Sequence, residues 1–264
     1  MIEENLKNYI NIKDFPINDV QWKKNVRDEY DRNGILSLEN FITKESVDEL
    51  QNESMSKLKH AYFNPQQHNV YLKPLDNYLP LNHPRNTNVQ SSKGCITDDL
   101  VSQNSPLRKI YNSLNFIDFI SFITRKKQLF PYADKLSSIN IHFAREGEEL
   151  GWHFDNSSFA ITVMINDVSS GGIFEYTKSI RGPKISKNIE FKNVSEVLEG
   201  KFETSKISMK PGGLLLFNGK NSMHRVTKVK CKETRILAVL AYNDKPGVSL
   251  SSSAQMTFYG KTDQ

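Results

Sequence analysis

The sequence predicts a mainly β fold preceded by helices, its short antiparallel strands forming a sandwich or jelly roll. Three observations lead there. The second half holds six short runs rich in β-branched and aromatic residues, punctuated by Gly, Asn, Asp and Pro. No helix-length segment alternates with each run, which argues against a parallel Rossmann-type sheet. The first half, by contrast, repeats its apolar residues at helical spacing.

Taken in order, "GILSLENFI" (34–42) predicts a short strand. A helix follows over 45–62, where Val47, Leu50, Met55, Leu58 and Tyr62 recur near the helical period. Residues 64–105 are rich in Asn, Pro and Ser, which favours loops and short strands. A second helix is expected over 106–127. It opens on Pro106, tolerated in a first turn, and would bury Leu107, Ile110, Tyr111, Leu114, Ile117, Phe119, Ile120 and Ile123. Strands are then expected at 138–143, 159–166, 171–176, 212–218, 223–229 and 235–242. The polar segment 177–208 interrupts them and reads as an insertion with a short helix around 193–200. The aromatic "MTFYG" (256–260) either folds back as a lid or covers one end of the β core. Residues 1–130 are thus expected to pack as a helical and loop region on a β core of residues 131–264, within one structural domain.

Composition narrows the function classes. A mean hydropathy of −0.54 and the lack of any long apolar run exclude a membrane-spanning helix. "MIEENLKNYI" lacks the basic-then-apolar pattern of a secretion signal. Two cysteines, Cys95 and Cys231, cannot build a disulfide framework, so a reduced, cytoplasmic setting is expected. The net charge of +5 comes from scattered lysines and arginines, not from the clustered stripe that nucleic acid would require. A small anionic co-substrate suits that charge equally well.

The chemistry concentrates in "GWHFDN" (151–156). In a strand, His153 and Asp155 share one face while Trp152 and Phe154 take the other. H-x-D alone is a weak signal. It gains weight from "PGGLLLFNGKNSMHRVTKV" (211–229), where turn residues deliver His224 to the start of a distant strand. Two histidines and a carboxylate from separate strands match the facial triad of non-haem iron(II) oxygenases, which leaves coordination positions open. Zinc would accept the same donors but cannot activate O₂. Arg235 then opens the apolar strand "RILAVLAY". A buried guanidinium needs a partner, and its fork matches a carboxylate. The alternative is an ordinary salt bridge within the chain.

These residues resemble the Fe(II)/2-oxoglutarate-dependent dioxygenase superfamily, over roughly residues 135–260. The resemblance implies a double-stranded β-helix (jelly-roll, cupin-like) core. It implies His153, Asp155 and His224 as iron ligands and Arg235 as the partner of the distal 2-oxoglutarate carboxylate. Iron(II), 2-oxoglutarate and O₂ are the implied cofactor and co-substrates. "LFPYADKLSSINIHF", "GGIFEY", "NHPRN" and "AVLAYNDKPGV" are further similar to the small enzymes that halogenate or hydroxylate free amino acids, lysine-type ones in particular. The halogenases of that group carry Gly where this chain has Asp155, so the resemblance implies a hydroxylase.

An amino acid substrate needs a cation for its carboxylate and an acid or amide for its amine. Arg85 is expected to serve the first, and Asp134 or Asn156 the second. Each also has a plain reading: Arg85 as a surface residue, Asp134 and Asn156 as turn residues. Asn156 stands where lysine binding would favour an acid. His142 either lines the pocket or packs against the sheet, and His60, His68 and His83 read as surface or loop residues. Rival readings are a hydroxylase of a carrier-tethered or protein-bound amino acid, with 177–208 as docking surface, and a non-catalytic metal-binding cupin-like module.

Overall fold

Local chemistry explains where the elements begin and end in the computed structural model, which describes residues 6–263. The reading of the N-terminus rests partly on residues 1–5, which lie outside them. Helix α1 (Val20–Asn33) is capped by Asp19, whose side chain accepts from the Trp22 amide, and stops at Gly34 in the left-handed conformation. It escapes the apolar-spacing rule because only Val26 and Tyr30 give it a buried apolar stripe. Strand β1 (Ile35–Leu38) follows, then α2 (Lys44–Lys57), capped by Thr43. Four short strands occupy the Asn/Pro/Ser-rich region: β2 (Tyr62–Phe63), β3 (Gln66–Asn69), β4 (Asn88–Ser91) and β5 (Gly94–Ile96).

The helix expected over 106–127 is two helices, α3 (Pro106–Asn112) and α4 (Leu114–Ile123). Ser113 breaks it: its backbone is extended and its hydroxyl accepts the Phe116 amide. A serine that can bond local amides competes with continuing the helix.

The remaining strands are β6 (Ile139–Ala144), β7 (Leu150–His153), β8 (Ala160–Asn166), β9 (Phe174–Tyr176), β10 (Ser205–Ile207), β11 (Leu214–Phe217), β12 (His224–Val226) and β13 (Arg235–Leu240). Helix α5 (Lys187–Leu198) lies between β9 and β10, and α6 (Ser252–Tyr259) ends the chain. The helix of segment 177–208 therefore starts at Lys187, not near 193. Ser186 caps it, its side chain accepting the Ile189 amide.

All strand pairings are antiparallel and fall into two sheets. The larger runs β1-β11-β8-β13-β6-β5-β2 and the smaller β10-β9-β12-β7-β4-β3. This is the mainly β, jelly-roll architecture expected. Period-two alternation sorts the larger sheet. Ile139, Ile141, Phe143, Ile161, Val163, Ile236 and Ala238 face α1–α4 in one apolar core with Phe116, Phe119 and Ile120. Residues between them, such as His142, Thr162, Arg235 and Leu237, line the interior. Outside the smaller sheet, Trp152 and Phe154 pack with Val194 and Val197 of α5. Both sheets are thus covered outside and enclose a cavity. No helix among the described residues is long and apolar enough to cross a membrane.

Candidate active site

The cavity has a volume of about 570 Å³, and His153, Asp155, His224 and Arg235 all contribute to its wall. His153 ends β7 and His224 begins β12, directly opposite each other in the ladder. Each imidazole is fixed by its Nδ1, which bonds a carbonyl two residues earlier: Gly151 at 2.8 Å and Ser222 at 3.1 Å. With the proton held on Nδ1, Nε2 presents its lone pair, the usual arrangement of a metal-binding histidine. Asp155 Oδ1 lies 3.7 Å from His153 Nε2 and 3.5 Å from His224 Nε2. One donor atom from each residue lies within 4.8 Å of the others. Adjacent ligands around one ion with bonds of about 2.0–2.2 Å stand roughly 3 Å apart, so a small inward movement closes the set.

The sequence builds this arrangement through the turn at 218–219. The Asp155 amide donates to the Gly219 carbonyl at 3.0 Å, which anchors Asp155 just beyond β7. A Cβ on Gly219 would fall 1.8 Å from Asp155 Oδ2 and 2.9 Å from His224 Cε1. Only glycine leaves room for the carboxylate beside the second imidazole.

The electrostatics fit a cation. Asp155 Oδ2 is buried and has no hydrogen-bond partner. Burial works against its ionisation, but His224 and His153 outweigh this and hold the carboxyl below its usual range. Burial, reinforced by His224, holds His153 down at about 3, so the ring is neutral near pH 7. Two imidazoles and one carboxylate, with an orphaned oxygen among them, are a donor set for a divalent ion.

Arg235 is only 6% exposed. Its Nε is buried without a partner, and no acid among the described residues pairs with it. The internal salt bridge that was the alternative reading is therefore absent there. Burial brings this guanidinium down to about 10, with only Asp167 opposing the effect. A buried unpaired cation on a cavity wall calls for an anionic ligand.

The other expected contacts divide. Asn156 lines the cavity and is exposed. Asp134 does not reach it: its Oδ1 accepts the Leu136 amide and its Oδ2 the Leu250 amide, so both oxygens clamp turns. Arg85 also lies off the wall, stacked over Tyr71 and donating to the Pro74 carbonyl. Neither meets the expectation of a substrate contact.

His68 was misread, Lys93 was missed, and of the two readings of His142 the structure has the pocket-lining one. His68 lines the cavity, its Nε2 lying 2.7 Å from Ser91 Oγ, rather than sitting on the surface. His142 also faces inward, 3.0 Å from Lys93 Nζ. The polar alternation of Asn140 and His142 between Ile139, Ile141 and Phe143 was the available signal. Lys93 sits between β4 and β5, where no pattern marks it. Helix α6 contributes Thr257, Phe258 and Tyr259 to the wall. Tyr259 donates to Asn140 Oδ1 at 3.0 Å, so "MTFYG" closes one end of the barrel.

The fold is one shared with solved 2-oxoglutarate- and iron-dependent oxygenases, and the donor set is one that could hold a divalent ion. Solved structures with this fold include the epimerase SnoN from nogalamycin biosynthesis in complex with Fe3+, alpha ketoglutarate and nogalamycin RO. It is 11% identical with a TM-score of 0.59, covering 85% of this chain and 84% of that one. HygX from Streptomyces hygroscopicus, with nickel, 2-oxoglutarate and hygromycin B bound, is 14% identical with a TM-score of 0.57, covering 91% and 96%. A Pseudomonas putida prolyl-4-hydroxylase is 10% identical with a TM-score of 0.54, covering 84% and 99%. No curated protein matches the chain in sequence. Residues 18–257 match the family described as Halogenase D, and the chain belongs to that family.

Proposed function

We propose that this enzyme hydroxylates an unactivated C–H bond of a small polar substrate, a free amino acid, using Fe(II) and 2-oxoglutarate. The observation that carries this is Asp155. Its carboxylate stands against both imidazoles, in the place that the halogenases resembling this chain keep clear for a halide. It blocks a halide by volume and by charge, so hydroxylation replaces halogenation within the same family.

Each residue has a task on this reading. His153, Asp155 and His224 hold the iron on one side and leave its other side to ligands. Arg235 binds the distal carboxylate of 2-oxoglutarate and fixes its orientation. When bound, iron and 2-oxoglutarate supply the oxidising power for C–H cleavage from O₂, with release of succinate and CO₂. The protein positions the C–H bond and excludes water. Asn156 at the rim offers an amide to the substrate's polar end. The cavity lies within the size range of small-molecule sites. Cys95 and Cys231 are free thiols, in keeping with a cytoplasmic enzyme.

The test is a screen of succinate release across free amino acids with Fe(II), 2-oxoglutarate and O₂. Mass spectrometry then reads the product for a gain of one oxygen, with chloride present throughout. One added oxygen and no chlorine is the expected result. A chlorinated product would overturn the hydroxylase reading. Turnover of a carrier-loaded amino acid alone would replace the free substrate with a tethered one.

A further inference from the structure

Lys93 is a cavity residue that the proposed reaction leaves without a task. It lines the main cavity and also a small recess of about 30 Å³ that opens beside Arg235. Its Nζ lies 3.0 Å from His142 Nε2. Residues 142 and 235 belong to adjacent strands, with His142 opposite Leu237 and Arg235 opposite Ala144. The recess therefore gathers two cationic side chains and one imidazole. Its only acid, Glu149, pairs with Lys228 at 3.5 Å.

An ammonium can only donate hydrogen bonds. The Lys93 contact thus sets His142 Nε2 as acceptor and places the ring proton on Nδ1. It also fixes the ammonium and leaves two N–H groups free. Burial lowers both groups, and Lys93 and Arg235 add to the effect on His142, so the imidazole adds no further positive charge. Two cations with no acid of their own are costly without an anion between them. The recess is large enough for a carboxylate head or a water, and too small for a substrate.

We propose that Lys93, held by His142, is a second binding residue for the distal carboxylate of the 2-oxo acid, so that Lys93 and Arg235 together select a dicarboxylate co-substrate. This rests on the 2-oxoglutarate-dependent reading above. Arg235 gives one face of a clamp and Lys93 gives another. The strictness for a C5 dicarboxylate then comes from two elements that meet only in the folded barrel.

The experiment titrates 2-oxoglutarate, and separately pyruvate, into the anaerobic Fe(II) protein and follows the metal-to-ligand charge-transfer band. Wild type, Lys93→Met and Lys93→Arg are compared, with the melting temperature of each apo protein as a second readout. Lys93→Met should weaken 2-oxoglutarate by about tenfold or more, the loss of one charge-assisted hydrogen bond. It should leave pyruvate, which lacks the distal carboxylate, unchanged. Lys93→Arg should recover most of the affinity. The apo melting temperature of Lys93→Met should hold or rise, because an unpaired buried cation has been removed. Unchanged 2-oxoglutarate affinity in Lys93→Met, or equal weakening of both acids, would overturn the proposal. Absence of the band in wild type would instead overturn the 2-oxoglutarate-dependent reading on which it stands.

Discussion

Replacing Gly219 by alanine should remove metal binding while leaving a folded protein. The added methyl would stand 1.8 Å from Asp155 Oδ2 and 2.6 Å from its Cγ. Close carbon–oxygen contacts run at about 3.3 Å, so the oxygen must retreat by about 1.5 Å. Metal–ligand distances tolerate only about ±0.2 Å. His224 cannot make way, because its Cε1 would itself stand 2.9 Å from the methyl and its Nδ1 is tied to Ser222. Losing a hydrogen-bond partner of a ligand costs about 10–100-fold in affinity, so displacing the carboxylate itself should cost about 100-fold or more. That corresponds to about 2.7 kcal/mol. Overpacking alone destabilises by about 1–3 kcal/mol, a drop of several degrees. Gly147→Ala is the control: φ there is +84° and nothing lies near its Cβ, so it strains the backbone without touching the site. The assay is an anaerobic Fe(II) titration beside thermal melts. Gly147→Ala should bind iron like wild type, and Gly219→Ala should not. The double variant Asp155→Gly with Gly219→Ala should bind no worse than Asp155→Gly alone, since the two changes act on one contact. A folded Gly219→Ala with wild-type iron affinity would refute the reasoning.

Other outcomes follow from the same geometry. Arg235→Met should leave the apo melting temperature unchanged or higher, yet weaken 2-oxoglutarate by about 30-fold or more, from roughly 2–5 kcal/mol for losing one side of a buried charge pair. Equilibrium titration with thermal melts checks both halves. Glu175→Ala should destabilise by about 2–3 kcal/mol, because Glu175 is buried against Arg225 at 2.6 Å and Lys206 at 3.4 Å. The figure sits below the usual range for buried pairs because Arg225 is 37% exposed; denaturant unfolding reads it. Burial pushes the Cys95 thiol up to about 11, so the thiolate is scarce at pH 8 and grows as pH rises. Iodoacetamide should therefore label the partly exposed Cys231 before Cys95, with peptide mass spectrometry assigning the order.

The sequence carried more of the site than of the helices. His153, Asp155, His224 and Arg235 were legible because strand periodicity and turn residues state which way each side chain points. Period two also explains the larger sheet, whose odd positions in β6 face α1–α4 and whose even ones face the cavity. The helices gave weaker signals. In α1, Asp19 and Gly34 mark both ends, but the buried stripe between them is thin. The break at Ser113 depends on a hydroxyl choosing a nearby amide over solvent, a choice that composition does not record. Asp134 and Arg85 stayed ambiguous in the sequence because a single polar residue can serve a turn or a ligand equally well. Only the positions of the Leu250 amide and the Tyr71 ring decide between these. Lys93 was invisible for a related reason: its neighbour His142 lies across a strand pairing that forms late in sequence distance.

The facing register of His153 and His224 reaches beyond catalysis. The two rungs belong to segments of four and three residues, too short to hold each other firmly by amide bonding alone. An ion gripping both would act as a rivet between neighbouring rungs. Loading it should tighten β7, β12 and β9 and leave the larger sheet indifferent, because β11, β8 and β13 owe their cohesion to the helices behind them. Amide exchange should then slow across one wall of the barrel alone when iron enters. Chelation would loosen that wall while the far side keeps its protection.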